Sequence, residues 1–170
     1  IKVKAVPKAN PHGEINPLLL ALTAGFTFIA RGYSYDIKYT TKLIAEAIRH
    51  KGSAFVQIYS PCVTYNNVMT REWYEKKIYK LEEADPAWDP VVHDEKEVDL
   101  KIRKALDKIV ERDRLPLGVF YRNELVPTFD ERYESLYDPN YRKLPPALQP
   151  VEADGKSVVD FEKLVADRLL

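Results

Sequence analysis

The sequence predicts an α/β protein: part of a doubly wound, mainly parallel sheet with an extended C-terminal tail. Two short runs rich in β-branched and aromatic residues, FTFIARGY and SAFVQIY, alternate with two stretches of helical character. The second run is almost continuously apolar, as in a strand covered on both faces of a parallel sheet. Beyond Leu125 the periodicity stops, and VPTFDERYESLYDPNYRKLPPALQP is rich in proline, tyrosine and charge. The expected division is therefore residues 1–124 as the α/β part and residues 125–170 as an extension packing on another subunit.

Each element has a local reason. Asn16-Pro17 reads as a helix N-cap followed by proline at the first helical position; LLLALTAG carries the helix on, and Gly25 is placed to end it. A strand is predicted at Phe26–Arg31, then a turn at GYSYD with Asp36 as the next N-cap. From Ile37 to His50, Leu43, Ile44, Ala47 and Ile48 form one apolar stripe, closed by Lys51-Gly52. His50, in the last turn, is expected at the surface. SAFVQIY is the second strand. TREWYEKKIYKL predicts one helix capped by Thr70, and DPAWDPVVHD a proline-rich linker. EKEVDLKIRKALDKIVERD is amphipathic, with Val98, Ile102, Ala105, Leu106 and Ile109 on one face. LPLGVFYRN is a third strand, Ala153–Gly155 a bare turn signal, and SVVDFEKLVADRLL a short amphipathic helix.

The totals exclude some functions. The 170 residues carry 26 basic and 26 acidic side chains, and this balance argues against a nucleic-acid binder. No stretch is long and apolar enough to span a bilayer. A single cysteine makes no internal disulfide, so a reducing, cytoplasmic compartment is expected. The opening IKVKAVPKANPHGEINP reads as the middle of a loop, and the chain is expected to be the C-terminal piece of a longer polypeptide.

Ligands of open α/β sheets gather at the carboxyl ends of the strands. Arg31-Gly32-Tyr33 and Ser60-Pro61-Cys62 lie at two such ends. Cys62 has three readings: a buried small hydrophobe, a nucleophile, or a metal-cluster ligand. A nucleophile needs a base, and the three histidines, His12, His50 and His93, lie on different elements. A cluster needs three further thiolates from elsewhere. Lys38 and Lys42, near the turn after the first strand, either meet an anion or form a solvated face. Arg31 is either buried and paired or facing a site. Tyr133, Tyr137 and Tyr141, four apart, pack on a partner subunit or cover their own sheet.

The run from Asn16 to Asn67 resembles the β subunit of 2-oxoacid:ferredoxin oxidoreductases. The resemblance rests on NP-x-x-LAL-x-x-G, F-x-x-ARG, AI-x-HKG and SPCVTYN in this order, with LPLGVFYRN and PTFDE further on. It covers nearly all of Ile1–Glu131 and implies a thiamine-diphosphate-binding fold. It also implies an enzyme that oxidises a 2-oxoacid, of the pyruvate or 2-oxoglutarate type, to an acyl-CoA and CO₂. Thiamine diphosphate, Mg²⁺ and a [4Fe–4S] cluster are the implied cofactors. The implied partners are an α subunit, the N-terminal half of the β subunit, ferredoxin, the 2-oxoacid and CoA. Cys62 would be the fourth cluster cysteine. Arg31 and Asn66 would line the cofactor, and Lys38 would meet CoA phosphates or the substrate carboxylate. The family's Gly-Asp-Gly…Asn motif for the diphosphate and its other three cysteines are absent from this chain. The loop from Val63 to Thr70 is expected to be a mobile gate. A cluster-free thiamine-diphosphate enzyme of the acetolactate-synthase type and a non-catalytic interaction domain are the alternatives.

Overall fold

A computed structural model describes residues 13–62 and 64–168. His12 and most of the opening loop lie outside the described residues. The chain divides into two compact units, Ile1–Thr128 and Phe129–Leu170.

The first unit is built on a four-stranded sheet of order β2-β1-β4-β3. Helix α1, Pro17–Thr23, starts where Asn16 Oδ1 accepts the amides of Leu18 and Leu19. The same side chain donates through Nδ2 to the carbonyl of Ile109, so one residue caps a helix and ties it to another. The helix ends at Gly25, whose φ of 81° suits glycine. Strand β1 runs Phe28–Tyr33, two residues later than predicted. The shift arises because Phe26 still bonds back to Ala21 and Thr27 to Ser53, which delays the ladder. Helix α2, Ile37–Arg49, begins with Asp36 accepting the amide of Tyr39. Strand β2, Ala54–Tyr59, then pairs parallel to β1, from Phe28↔Ala54 to Tyr33↔Tyr59.

Two expectations need correction here. β2 is not covered on both faces: it is the edge of the sheet among the described residues, its residues are half-buried, and Ile58 is exposed. His50 is not at the surface. Its side chain is buried, with Nε2 2.8 Å from Thr27 Oγ1. Nδ1 lies 3.3 Å from Glu124 Oε1 without hydrogen-bond geometry. Burial lowers the imidazole pKa, against the opposing pull of Glu124.

The predicted helix at Thr70–Leu81 breaks into three pieces: α3, Arg71–Glu75; β3, Ile78–Lys80; and α4, Leu81–Ala84. The reason is non-local, since β3 pairs parallel to β4, Leu115–Arg122, far along the chain. β4 itself runs antiparallel to β1, so the sheet is mixed although two of its three pairings are parallel. Helix α5, Val98–Ile109, buries Ala105 and Ile109 against one sheet face with Leu18, Ala21, Ile29 and Phe120. Val98 and Ile102 pack beside them. On the other face α2 presses Leu43 and Tyr39 onto Phe28, Ala30 and Leu117. Each fully buried side chain of this size contributes roughly 2 kcal/mol.

Lys101, on α5, is buried and was invisible in the stripe pattern. Its ammonium donates to Asp89 Oδ2 at 2.7 Å and to the Asp89 carbonyl at 3.0 Å. That bond is the main reason the Asp89 carboxyl is pushed down to about 2. An acid pKa below its unfolded value contributes stability above about pH 4, lost as pH falls toward 2. Asp89→Asn is expected to flatten this acid limb. It should also cost about 1 kcal/mol at pH 7, less than a fully buried pair because Asp89 is exposed. Urea unfolding at pH 7 and pH 3 checks this; an unchanged acid dependence in the variant would refute it.

The second unit contains α6, Phe129–Leu136, a short hairpin of β5, Glu152–Ala153, and β6, Lys156–Ser157, and α7, Phe161–Ala166. The predicted tyrosine series folds on itself: the rings of Tyr133 and Tyr141 are 4.5 Å apart and those of Tyr133 and Tyr137 5.1 Å. Arg142 pairs with Glu134 in the same unit.

Candidate functional site

Parallel pairing places the carboxyl ends of β1 and β2 side by side. The amide of Ser34 bonds the carbonyl of Tyr59, so the two chains leave the sheet together. Pro61, without an amide hydrogen, cannot extend the ladder, and Cys62 follows as an exposed free thiol. Within the described residues Cys62 is therefore not a buried hydrophobe. The loop after it is organised by Asn66. Its amide bonds the Cys62 carbonyl at 2.8 Å, and its Oδ1 accepts from Val68 and Met69, both at 3.0 Å. Thr70 Oγ1 then accepts from Trp73 and starts α3.

Aromatic rings clasp both ends of this loop. Tyr59, three residues before Cys62, lies 5.2 Å from Tyr74 of α3. Tyr74 also meets Tyr33 at 5.9 Å and, edge-on, Trp73 at 5.0 Å. Arg71 covers Tyr35 at 4.6 Å while paired with Glu75. Such ring pairs add about 1 kcal/mol each beyond area burial. Sequence reasoning missed Tyr59, Tyr74 and Arg71; their only signal was aromatic density around two strand ends. Burial raises the pKa of Tyr33, Tyr59 and Tyr74, so these phenols are neutral near pH 7.

Arg31 is 3% exposed, which settles the burial half of its reading. Its Nε donates to Gln57 Oε1 at 2.9 Å, and Nη1 to the Pro116 carbonyl at 3.4 Å. Its pKa is lowered, chiefly by desolvation. Lys38 is exposed on the first turn of α2, and Lys42 is exposed beside Glu46 at 3.8 Å. The structure thus joins Asn66 to Cys62 by a backbone bond, places Arg31 on the same sheet end, and gives Lys38 no bond to either.

The chemistry available is restricted. His50 contacts Thr27, at the amino end of β1, and His93 bonds Asp89 at 3.1 Å on the linker. Neither histidine is a base for Cys62. Among the described residues no three His, Cys, Asp or Glu side chains group to hold a metal ion. The one exposed thiol at this strand end offers a single sulfur donor.

A family model described as the C-terminal part of the pyruvate ferredoxin oxidoreductase beta subunit matches residues 62–138, starting at Cys62. The 2-oxoacid:ferredoxin oxidoreductase subunit beta of Saccharolobus solfataricus is 45% identical over 169 residues, 99% of this chain and 55% of the relative. Subunit beta of 2-oxoacid:ferredoxin oxidoreductase 2 of Aeropyrum pernix is 42% identical over 171 residues, 100% of this chain and 55% of the relative. The chain belongs to the 2-oxoacid:ferredoxin oxidoreductase β-subunit family. It spans about half the length of the curated relatives it matches. A solved 2-oxoglutarate:ferredoxin oxidoreductase from Magnetococcus marinus, with 2-oxoglutarate, coenzyme A and succinyl-CoA bound, is 25% identical with a TM-score of 0.66. The match covers 96% of this chain and 47% of that one. Membership of the β-subunit family accords with the α/β fold read from the strand runs. Among the described residues no helix is long and apolar enough to cross a membrane.

Proposed function

We propose that this chain forms part of the β subunit of a cytoplasmic 2-oxoacid:ferredoxin oxidoreductase. The complex oxidises a 2-oxoacid of the pyruvate or 2-oxoglutarate type to an acyl-CoA and CO₂ and passes electrons to ferredoxin. An α subunit completes it. The observation that carries the reading is an exposed Cys62 at the carboxyl end of paired strands, where α/β sheets place cofactors, in a chain of this family.

In this reading Cys62 supplies one thiolate to a [4Fe–4S] cluster, whose role is single-electron transfer. The amides of Asn66, Val68 and Met69 hold the loop through the Cys62 carbonyl and Asn66 Oδ1, and hydrogen bonds from free amides to cluster sulfurs would tune the cluster's potential. Asn66 keeps that loop in shape and, with Arg31, stands on the cofactor side. Lys38, exposed on the first turn of α2, would meet CoA phosphates or a substrate carboxylate. The residues present do not fit thiamine diphosphate or Mg²⁺: the chain has no diphosphate motif, and the described residues hold no metal-ligand group. Those groups, and the other cluster cysteines, fall to the remainder of the subunit.

The test is anaerobic purification of the complex containing this chain, with iron and acid-labile sulfide analysis and CoA-dependent reduction of ferredoxin by pyruvate and by 2-oxoglutarate. A brown, active complex is expected. A colourless, iron-free complex would overturn the reading. An iron-free complex that decarboxylates the 2-oxoacid without reducing ferredoxin would move it to a cluster-free thiamine-diphosphate enzyme, and inertness to a non-catalytic domain.

A further inference from the structure

Arg31 is a buried cation without a counter-ion among the described residues. Four other arginines, Arg71, Arg112, Arg122 and Arg142, each pair with a glutamate and are more exposed than Arg31. Arg31 pairs with none among the described residues. Its guanidinium carbon lies 5.0 Å from the Tyr59 ring centroid and 5.2 Å from that of Phe120. Two in-plane donors go to neutral oxygens, those of Gln57 and Pro116. Among the described residues Nη2 has no hydrogen-bond partner. Glu14, whose charge reaches Tyr59, is committed to Arg112 at 3.7 Å.

A lone buried charge is unfavourable, and an apolar side chain of similar volume would serve the core better. The arrangement has a use only if a negative group completes it. A guanidinium offers two parallel donors along its Nη1–Nη2 edge, matched to a flat carboxylate. We propose that the Nη1–Nη2 edge of Arg31 is a carboxylate-binding site at the carboxyl end of β1. The carboxylate comes either from a diffusible 2-oxoacid or from a protein side chain outside this chain. The first source rests on the function proposed above; the second does not.

The experiment uses the purified complex with Arg31→Met and Arg31→Lys, read by thermal unfolding with and without 10-fold excess pyruvate or 2-oxoglutarate over KM, and by steady-state kinetics. With a diffusible carboxylate, both variants keep the resting Tm and lose the 2-oxoacid-induced rise. KM for the 2-oxoacid then climbs about 30-fold while kcat holds within about 3-fold. With a protein carboxylate, Arg31→Met lowers the resting Tm by about 5 °C, Arg31→Lys recovers part of it, and KM does not move. If Arg31→Met fails to assemble, Arg31→Lys carries the same readouts. A variant as stable as the parent or more so, with unchanged KM, overturns the proposal, because an unpaired guanidinium is relieved by its removal. If the parent complex oxidises no 2-oxoacid, the functional reading fails while the resting-stability comparison still decides the site.

Discussion

Serine at position 62 is expected to strip the complex of its β-subunit cluster, about four iron and four sulfide per β subunit, while leaving the fold intact. The two effects separate because Cys62 is exposed. Exchanging its sulfur for oxygen removes almost no buried surface, so Tm should stay within about 2 °C. The loop itself is held by the Cys62 carbonyl and by Asn66, and neither depends on the sulfur. A hydroxyl is a hard donor with a high pKa and replaces a thiolate poorly at iron. Thr64→Ala, an exposed neighbour in the same loop, is the control for general disturbance. Iron analysis, visible spectra and low-temperature EPR of the reduced complex read the result. Full iron content and unchanged spectra in Cys62→Ser would remove Cys62 from the ligand set.

Alanine at position 52 should produce the largest loss of stability, about 3 kcal/mol or more. Gly52 joins α2 to β2 with a φ of 137°, a backbone conformation that disfavours a side chain. An added Cβ would also overlap Thr27 Oγ1 and stand 3.0 Å from His50 Nε2. Thr27 cannot easily yield, because its hydroxyl bonds both His50 and the Ser53 carbonyl. The strain would fall on the first residues of the β1–β2 ladder, the strand that delivers Cys62. A double-mutant cycle with Thr27→Ala separates overlap from backbone strain: the pair should be less than additive. Additive losses would mean that the backbone alone is responsible. Thermal unfolding of the complex provides the measurement.

The parts of this architecture readable from sequence are those whose causes are local. Asn16, Asp36 and Thr70 announce their helices because a cap needs only the next three amides. The stripe of α5 was visible, and so was the abrupt end of β2 at Pro61. What escaped depends on distant partners. Nothing near Ile78 signals a strand, because its ladder is completed by β4. His50 looks like a helix-end surface residue until Thr27 and Phe28 close over it. Lys101 looks like part of a charged face until the linker bends Asp89 onto it. At the site, the position of Cys62 followed from strand order, whereas the ring clasp of Tyr59 and Tyr74 required the path of the loop between them.

The edge that β2 leaves unpaired among the described residues bears on how this region tolerates mutation. Bonds along a sheet edge are made by main-chain groups, which are the same whatever side chain is attached. A strand added there would be aligned by spacing rather than by residue identity. Outward positions such as Ile58 can therefore drift through evolution while the spacing between Cys62 and a neighbouring strand stays fixed. Substitutions should accumulate along this border faster than at Gly52 or Thr27, where the backbone path itself is constrained.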